Sequence, residues 1–126
     1  MGMRAFLLIG IVGFAAIVAT SAGAAGDAKK GATVFARCGI CHSSAKGEGN
    51  KIGPNLFGVV GRKAGSVADF SYSAAMKSAG FVWTDAKLDA YIKSPATVVP
   101  GNKMAFAGIP SDGQRADLVA YLKTLK

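Results

Sequence analysis

Histidine and cysteine are scarce in this chain: its 126 residues include one histidine, His42, and two cysteines, Cys38 and Cys41. A tetrahedral zinc site takes about four protein ligands, so these three residues do not complete one. A disulfide between cysteines only three positions apart would close a very short loop and would constrain little of the unfolded chain. The scarcity argues against both a zinc domain and a disulfide-stapled domain.

Acidic residues are also few, since seven Asp and Glu stand against 15 Lys and Arg, for a net charge of +8. A basic protein can bind nucleic acid, an anionic membrane or an acidic protein surface. No three basic residues are consecutive, and the export signal described in the next paragraph argues against DNA as a partner. We therefore expect docking onto acidic proteins and no nucleic-acid partner.

The N-terminus has the pattern of an exported protein. A short segment with one positive charge precedes an uncharged apolar run over residues 5–19, and small residues follow at positions 22–24. This pattern predicts a secretory signal peptide over residues 1–25 and a single folded domain over residues 26–126. An uncleaved anchor is the alternative, because the extended run reaches the ~20 residues that span a bilayer.

The remaining segment of about 100 residues is small for an all-protein core, and folding at this size often needs help from a disulfide, a metal or a cofactor. Apolar residues recur at helical spacing, and no alternating run typical of a strand is present. The predicted helices run from Asp27 toward Arg37, from Ser73 to Ala79, from Thr84 to just before Pro95, and from a capping box at Ser111 and Gln114 along Leu118, Tyr121, Leu122 and Leu125. Residues 39–65 and 98–110 are predicted loops, so the fold class is all-α with long loops.

The pentapeptide Cys38-Gly39-Ile40-Cys41-His42 carries the clearest chemistry. Two thiols at this spacing can each add to one vinyl group of a haem, while the adjoining imidazole reaches the iron. The motif predicts one haem c attached covalently to Cys38 and Cys41, with His42 as an axial ligand. A thioredoxin-type Cys-x-x-Cys is the alternative, but it would accompany a βαβ pattern that this sequence does not contain.

The sixth position on the iron is not a second histidine of this chain, because His42 is the only one. Methionine, lysine, water or an open position remain. Met76 falls in a predicted helix, where core packing is the ordinary role of methionine. Met104 lies in the 98–110 loop, where no helical face explains it, and is the favoured ligand.

Several further motifs follow one another in a family-specific order, namely Gly53-Pro54-Asn55-Leu56, Gly61-Arg62-Lys63, Leu88 with Tyr91, and Pro100-Gly101-Asn102-Lys103-Met104. With them the chain resembles the class I c-type cytochromes, close to mitochondrial cytochrome c and its short bacterial photosynthetic and respiratory relatives. The likeness covers nearly all of residues 26–126. It implies the cytochrome c fold, a small helical domain with long loops wrapped around one haem.

The resemblance also implies roles for individual residues. Met104 would be the sixth ligand, and the Pro54 carbonyl would accept a hydrogen bond from His42 and so orient the ring. The other cofactor-binding residues would be Arg62, Tyr72 and Trp83 near the haem propionates, Tyr91 and Asn102 near the Met104 sulfur, and Phe106 at the haem edge. The first and last helices would pack together through Gly31, Phe35, Leu118 and Tyr121.

Two departures from the family pattern concern redox tuning and docking. At Met76 the family commonly has an asparagine in a polar network, so a second thioether is expected near the iron. Docking lysines of the mitochondrial type are replaced here by Ala96, Thr97, Pro110 and Ser111. Basic positions of that docking face are matched by Arg37, Lys51 and Lys103.

Together these features predict a monomeric electron carrier of the bacterial periplasm, and not an enzyme. By resemblance, its iron would cycle between Fe(III) and Fe(II), with a quinol–cytochrome c oxidoreductase as donor and a terminal oxidase or photosynthetic reaction centre as acceptor. An alternative is a peroxidase or gas-ligand binder with an open or labile sixth site, although no second histidine is present as a distal acid or base. Another is a dedicated donor module for one dehydrogenase.

Overall fold

The computed structural model describes residues 25–126, together with Gly13, Ala15 and Ala16. This part of the chain forms five helices: α1 (Ala28–Gly39), α2 (Ala74–Lys77), α3 (Asp85–Lys93), α4 (Pro95–Val98) and α5 (Asp112–Leu122). Its one β pairing outside them is an isolated antiparallel bridge between Lys63 and Val82. The prediction of an all-α fold with long loops is confirmed.

Asp27 caps the first helix of the described residues, α1, as the sequence analysis predicts. The Asp27 carboxylate caps α1 by accepting hydrogen bonds from the backbone N–H groups of Lys29 (2.9 Å) and Lys30 (3.2 Å). The predicted leader, residues 1–25, lies almost entirely outside the described residues and stays a prediction. Among the residues that are described, no helix is long and apolar enough to cross a membrane.

Helices α1 and α5 cross in close contact and frame the domain. The crossing requires Gly31, because a Cβ atom there would lie 1.9 Å from the Asp117 carbonyl oxygen and 2.7 Å from the Tyr121 Cβ. One turn later, the Phe35 ring packs against that of Tyr121, with centroids 5.0 Å apart. Leu118 is buried in the same core as Phe35. The predicted contact between the first and last helices is confirmed.

The ends of α5 differ in detail from the predicted pattern. Ser111 caps the helix, since its Oγ accepts a hydrogen bond from the Gln114 N–H at 3.2 Å. The return bond from the Gln114 side chain, which a full capping box requires, does not form. The helix ends at Leu122, so Leu125 packs against the core from beyond the last turn.

Helix α2 is shorter than predicted. Ser73 caps it through a hydrogen bond from the Met76 N–H to Oγ (3.1 Å), as the sequence indicates. The helix stops at Lys77 and does not reach Ala79. Gly80, which follows with φ at +73°, takes a left-handed conformation that helical residues do not adopt.

The predicted helix before Pro95 is confirmed, but helix α4, which begins at Pro95, was not predicted. Thr84 caps α3 by accepting a hydrogen bond from the Lys87 N–H (3.1 Å), and α3 ends at Lys93. Pro95 then begins a new helical turn that extends to Val98. Proline suits the first turn of a helix because its missing N–H would have no partner there, so the predicted loop begins one residue later.

The loop over residues 99–111 is irregular, but its C-terminal end is firmly packed on α3. The Ile109 N–H donates to the Ile92 carbonyl oxygen at 2.9 Å, and the Ile109 side chain is fully buried. Gly108 has a φ of +108°, and a Cβ atom there would lie 2.1 Å from the Lys93 carbonyl oxygen. Glycine is therefore required at this point of the loop.

Arg115 of α5 secures the same end of the loop. Its Nη1 donates to the carbonyl oxygens of Ile109 (2.8 Å) and Pro110 (2.9 Å), and its Nε donates to Asp89 (2.9 Å). Hydrogen bonds to Asp89 and Asp112 raise the pKa of Arg115. A charged side chain that is only 3% exposed thus joins α5, α3 and the loop.

Candidate cofactor site

A cavity of about 390 Å³ lies between α1, α3, α5 and the long loops; we call it the central cavity. The eleven residues that the sequence analysis assigns to the cofactor all line it, namely Cys38, Cys41, His42, Pro54, Arg62, Tyr72, Trp83, Tyr91, Asn102, Met104 and Phe106. Their individual roles stay predictions. The fold nevertheless gathers them on one surface, although they are spread over more than half of the described chain.

The two cysteines lie where α1 ends. The N–H groups of Cys41 and His42 both donate to the Cys38 carbonyl oxygen, at 3.0 and 2.9 Å, so the chain turns tightly and brings both thiols and the imidazole to the cavity. Both cysteines are half-buried and unpaired with each other. Burial raises the pKa of the Cys38 thiol, against the opposing effect of Arg37.

The His42 ring is held by one hydrogen bond and by close packing. Its Nδ1 donates to the Pro54 carbonyl oxygen at 2.8 Å, which leaves Nε2 of the neutral ring free of a proton and able to bind a metal. Burial lowers the pKa of His42 more than the Pro54 bond raises it, and Arg62 lowers it further. A Cβ atom at Gly53 would lie 2.4 to 2.8 Å from three ring atoms, so only glycine leaves room for the ring.

Met104 reaches the cavity from the 99–111 loop. Its N–H donates to Asn102 Oδ1 (2.9 Å), while Asn102 Nδ2 donates to the Val99 carbonyl oxygen (2.9 Å). The Tyr91 hydroxyl of α3 lies 4.0 Å from the Met104 sulfur, a distance that suits a weak O–H to sulfur bond. Burial raises the pKa of Tyr91 to about 12, so this hydroxyl keeps its proton at neutral pH.

Arg62 and Tyr72 give the cavity a polar end. Arg62 Nη1 donates to the carbonyl oxygens of Asn55 (3.0 Å) and Phe57 (3.2 Å), and these bonds use one nitrogen of the guanidinium. The Tyr72 hydroxyl accepts a hydrogen bond from the Val67 N–H at 3.1 Å and keeps its own proton for donation. Both side chains thus have donors suited to carboxylates.

An aromatic wall and a second thioether complete the cavity. Trp83 packs edge-to-face on Phe81 and tilted on Tyr91, with centroids 4.8 and 4.9 Å apart. Met76 of α2 is buried and lines the cavity with Met104, so two thioethers share it. Phe106 is half-buried at the loop.

Two residues that position the site were not singled out by the sequence analysis. Gly53 appears there only as part of a motif, and a glycine gives no signal that a ring packs against it. Arg115 had an available signal, because it precedes Leu118 by three residues and Leu122 by seven and so lies on the buried face of α5. A cation on that face predicts a buried hydrogen-bond network.

The lining of the cavity suits a haem in its chemistry. Ligand cavities in proteins measure about 300–1,000 Å³ and have mainly apolar walls with a few polar groups. The apolar walls of the central cavity include Leu56, Val59, Leu88, Ile92, Leu118 and Leu122. The donor set consists of two thiols, an imidazole whose Nδ1 is already bonded, a thioether on another segment, and a polar end for carboxylates, which matches a covalently attached haem.

Comparisons with known proteins agree with this chemistry. The family model for cytochrome c matches residues 28–126. A cytochrome c of Stellaria longipes is 50% identical over 99 residues, 78% of this chain and 92% of that protein. A cytochrome c2 of Rhodomicrobium vannielii is 47% identical over 116 residues, 92% of this chain and 93% of that protein.

Among solved structures, cytochrome cH from Methylobacterium extorquens superposes with a TM-score of 0.74 at 45% identity, covering 79% of this chain and 99% of that one. The family binds haem c covalently, and this chain has both cysteines of the attachment motif, Cys38 and Cys41. The family's proteins are electron carriers rather than enzymes. The chain therefore belongs to the cytochrome c family, binds one haem c through two thioethers, and is an electron-carrying cytochrome.

Proposed function

We propose that this cytochrome is a periplasmic one-electron shuttle, reduced by a quinol–cytochrome c oxidoreductase and oxidised by a terminal oxidase or a photosynthetic reaction centre. The observation that supports this most is that His42 and Met104 line one cavity from two different segments. If both side chains ligated the iron of a bound haem, the haem would supply one-electron chemistry there and no position would be left for a substrate.

On the attachment side, Cys38 and Cys41 hold the cofactor and His42 presents Nε2 to the iron. The bond from Nδ1 to the Pro54 carbonyl sets the tautomer and the ring orientation. Gly53 lets the ring stand in that orientation. The residues on this side therefore attach the cofactor, provide a ligand for its iron and orient that ligand.

On the other side of the cavity, Met104 would supply a thioether ligand to the iron. Asn102 holds the Met104 backbone, and the Tyr91 hydroxyl lies close enough to withdraw charge from the sulfur. Arg62, Tyr72, Trp83 and Phe106 line the same cavity. By the family resemblance, the first three would hold the haem propionates and Phe106 would cover the haem edge. Their apolar neighbours exclude water, which keeps the redox centre dry.

Docking would use the basic side of the molecule, as a monomer. Arg37 and Lys103 are exposed and lie at the border of the central cavity, and Lys51 is exposed nearby. Without Arg4 of the proposed leader, 14 Lys and Arg against seven Asp and Glu give a net charge of +7, which attracts acidic partners from a distance. Such steering speeds association and weakens as salt screens the charges.

A signal peptide over residues 1–25, with the domain starting at residue 26, is supported by the packing of Gly26 and Asp27 on α5. The Asp27 N–H donates to the Asp117 carboxylate at 2.8 Å, and a Cβ atom at Gly26 would lie 1.9 Å from the Ala116 carbonyl oxygen. A retained anchor would join this packed segment with almost no linker, which hinders a shuttle that must reach two partners. The intact mass of protein from the periplasmic fraction reports whether the leader is removed.

The experiment that tests the ligand assignment is absorption spectroscopy of the oxidised holoprotein, in the weak long-wavelength band of a ferric iron–methionine bond. We expect this band in wild type and its loss in Met104→Ala. Met76→Leu is the matched control, because it replaces the other cavity thioether by an apolar side chain of similar volume, and it should keep the band.

Electron exchange is then measured with a purified quinol–cytochrome c oxidoreductase. We expect rapid reduction of the wild-type protein that slows as salt is added. A wild-type protein without the methionine band, whose reduced form binds carbon monoxide readily, would contradict the shuttle and support the ligand-binding alternative.

A further inference from the structure

A groove of about 580 Å³ lies between α3, α5 and the segment that precedes α1; we call it the N-terminal groove. Gly26 lines it from the segment before α1, Asp85 and Asp89 line it from α3, and Lys123 lines it from the end of α5. None of the residues that line it also lines the central cavity. The haem therefore does not account for this groove.

The backbone of Gly26 lies directly on α5. A Cβ atom at this position would lie 1.9 Å from the Ala116 carbonyl oxygen and 2.6 Å from the Asp117 nitrogen, so only glycine allows this approach. The next residue is fixed as well, because the Asp27 N–H donates to the Asp117 carboxylate at 2.8 Å. The backbone nitrogen of Gly26 is therefore held beside the groove.

Carboxylates are concentrated around the N-terminal groove. Five of the seven acidic residues of the chain belong to α3, to α5 or to the segment before α1, namely Asp27, Asp85, Asp89, Asp112 and Asp117. Two cations pair with three of them, since Lys123 bonds to Asp85 at 2.8 Å and Arg115 bonds to both Asp89 and Asp112. Within the described residues, the lysines of α1 and α3 form no ion pair with these carboxylates. Negative charge is thus in excess here, in a protein that is basic as a whole.

We propose that the N-terminal groove is the binding site of the α-ammonium group that appears on Gly26 when the leader is removed. Hydrolysis of the Ala25–Gly26 peptide bond adds water across it and leaves a carboxylate on Ala25 and an ammonium on Gly26. In the bonds described above, Asp85, Asp89 and Asp117 each use one oxygen, which leaves the other oxygen as an acceptor. The inference rests on the proposed removal of residues 1–25 and is independent of the redox partners.

Processing then adds a contact that the precursor lacks. Before cleavage the Gly26 nitrogen belongs to a neutral amide with one N–H donor, and after cleavage it carries a positive charge and three donors. Hydrogen bonds from a charged donor to a carboxylate are stronger than those between neutral groups. The first residues of a domain fray unless they are tied down, so removal of the leader itself supplies the group that secures the new end.

The amine also makes this contact depend on pH. Nearby carboxylates favour the charged form, so the pKa of the α-amino group rises above its ordinary value of about 7.7–8.0. Lys123 and Arg115 oppose this effect, but each of them is already bonded to a carboxylate. Because the pKa is raised in the folded state, the stabilisation is complete below the ordinary pKa and is lost as pH rises through the raised one.

The test uses holoprotein purified from the periplasm, and its intact mass first shows whether residues 1–25 have been removed. Reaction of the α-amine with an amine-selective acylating reagent is then followed at pH 7 and at pH 10, by mass spectrometry of the N-terminal peptide. Only the neutral amine reacts, so the ratio of the two rates reports the pKa of the amine and cancels its accessibility. The same ratio in the urea-unfolded protein is the reference.

The variants are Asp85→Asn, Asp89→Asn and the two combined. Each substitution removes a negative charge and keeps an oxygen that can accept the bond from Lys123 or Arg115. Asp69→Asn is the matched control, because it removes the charge of an exposed carboxylate that does not line the groove.

We expect the ratio of the rate at pH 7 to that at pH 10 to be about fivefold lower in the folded wild type than in the unfolded reference. The double variant should return to within about twofold of the reference, and each single variant should lie between it and wild type. Asp69→Asn should match wild type. A folded wild type with the same ratio as the unfolded protein, or single variants with the same ratio as wild type, would overturn the binding site.

Failure of this inference is distinguishable from failure of the shuttle function. An intact mass that still includes residues 1–25 would overturn both the proposed leader removal and the ammonium site, whereas electron exchange with the oxidoreductase is measured separately. If the rate ratios follow the expected order but no electrons are exchanged, the ammonium site is supported and the shuttle function fails.

Discussion

His42 and Met104 reach the central cavity through two different kinds of structure. His42 directly follows both cysteines, and a single turn at the end of α1 places all three side chains. Met104 lies in the irregular 99–111 loop, whose C-terminal end is secured by Arg115 and by the bond from Ile109 to Ile92. One side of the site is local in sequence, and the other depends on distant contacts.

This difference separates attachment from ligation. A change beside His42 disturbs the segment that holds the cofactor, so it should affect maturation and folding together. A change beside Met104 acts on a loop that can open while the rest stays folded. We therefore expect effects near Met104 to appear first in the iron–sulfur bond and only later in global stability.

The largest effect is expected from Gly53→Ala on the histidine side. The added methyl would meet three atoms of the His42 ring at 2.4 to 2.8 Å, and the ring is already held by Pro54. We expect a loss of about 3 kcal/mol in the free energy of unfolding, with a lower yield of haem-attached protein. Urea unfolding and the haem content of purified protein measure both.

Gly49→Ala is the matched control for this prediction. Gly49 lies in the same loop region, and a Cβ atom there would meet nothing within 4 Å. It should leave the unfolding free energy within about 0.5 kcal/mol of wild type. Equal unfolding free energies for the two variants would show that the His42 ring can move away from residue 53. The histidine side of the site would then be no more rigid than the Met104 loop.

A smaller effect is expected from Asn102→Ala on the methionine side. The substitution removes the acceptor for the Met104 N–H and the donor to the Val99 carbonyl, at about 2 kcal/mol for the two bonds. We expect the ferric iron–methionine band to weaken at denaturant concentrations where secondary structure is intact.

Asn102→Asp sharpens the same prediction, because it keeps an acceptor for the Met104 N–H and loses the donor to Val99. It should lie between wild type and Asn102→Ala. If the band and the circular dichroism of Asn102→Ala disappear together, the loop does not open separately and the contrast between the two sides is wrong.

The smallest effect is expected from Tyr91→Phe. The hydroxyl lies 4.0 Å from the Met104 sulfur, and a hydrogen bond there withdraws charge from the sulfur and favours the reduced iron. Its removal should lower the reduction potential by about 20 mV, equivalent to about 0.5 kcal/mol for one electron. Redox titration measures this shift, and a raised potential would show that the hydroxyl does not interact with the sulfur.

The sequence is most informative where chemistry depends on neighbouring residues. The spacing of Cys38, Cys41 and His42 predicts covalent haem c, and the caps at Asp27, Thr84 and Ser111 mark three helix starts that the structure has. Prediction is weaker where short segments depend on their surroundings. Helix α4 begins at Pro95, where the sequence pattern predicts only the end of the preceding helix, and α2 ends earlier than predicted. Both are single turns, which have little stability of their own.

By itself, then, the sequence determines the attachment chemistry, the helical class and the starts of α1 and α5, because these follow from residues one to seven positions apart. The tertiary structure alone decides the rest. It shows the His42 ring against Gly53, the buried Arg115 bonded to Ile109, and the bond from Lys51 to the Gly39 carbonyl oxygen. The physical reason is that each depends on space and hydrogen-bond partners supplied by another part of the chain, which no local spacing records.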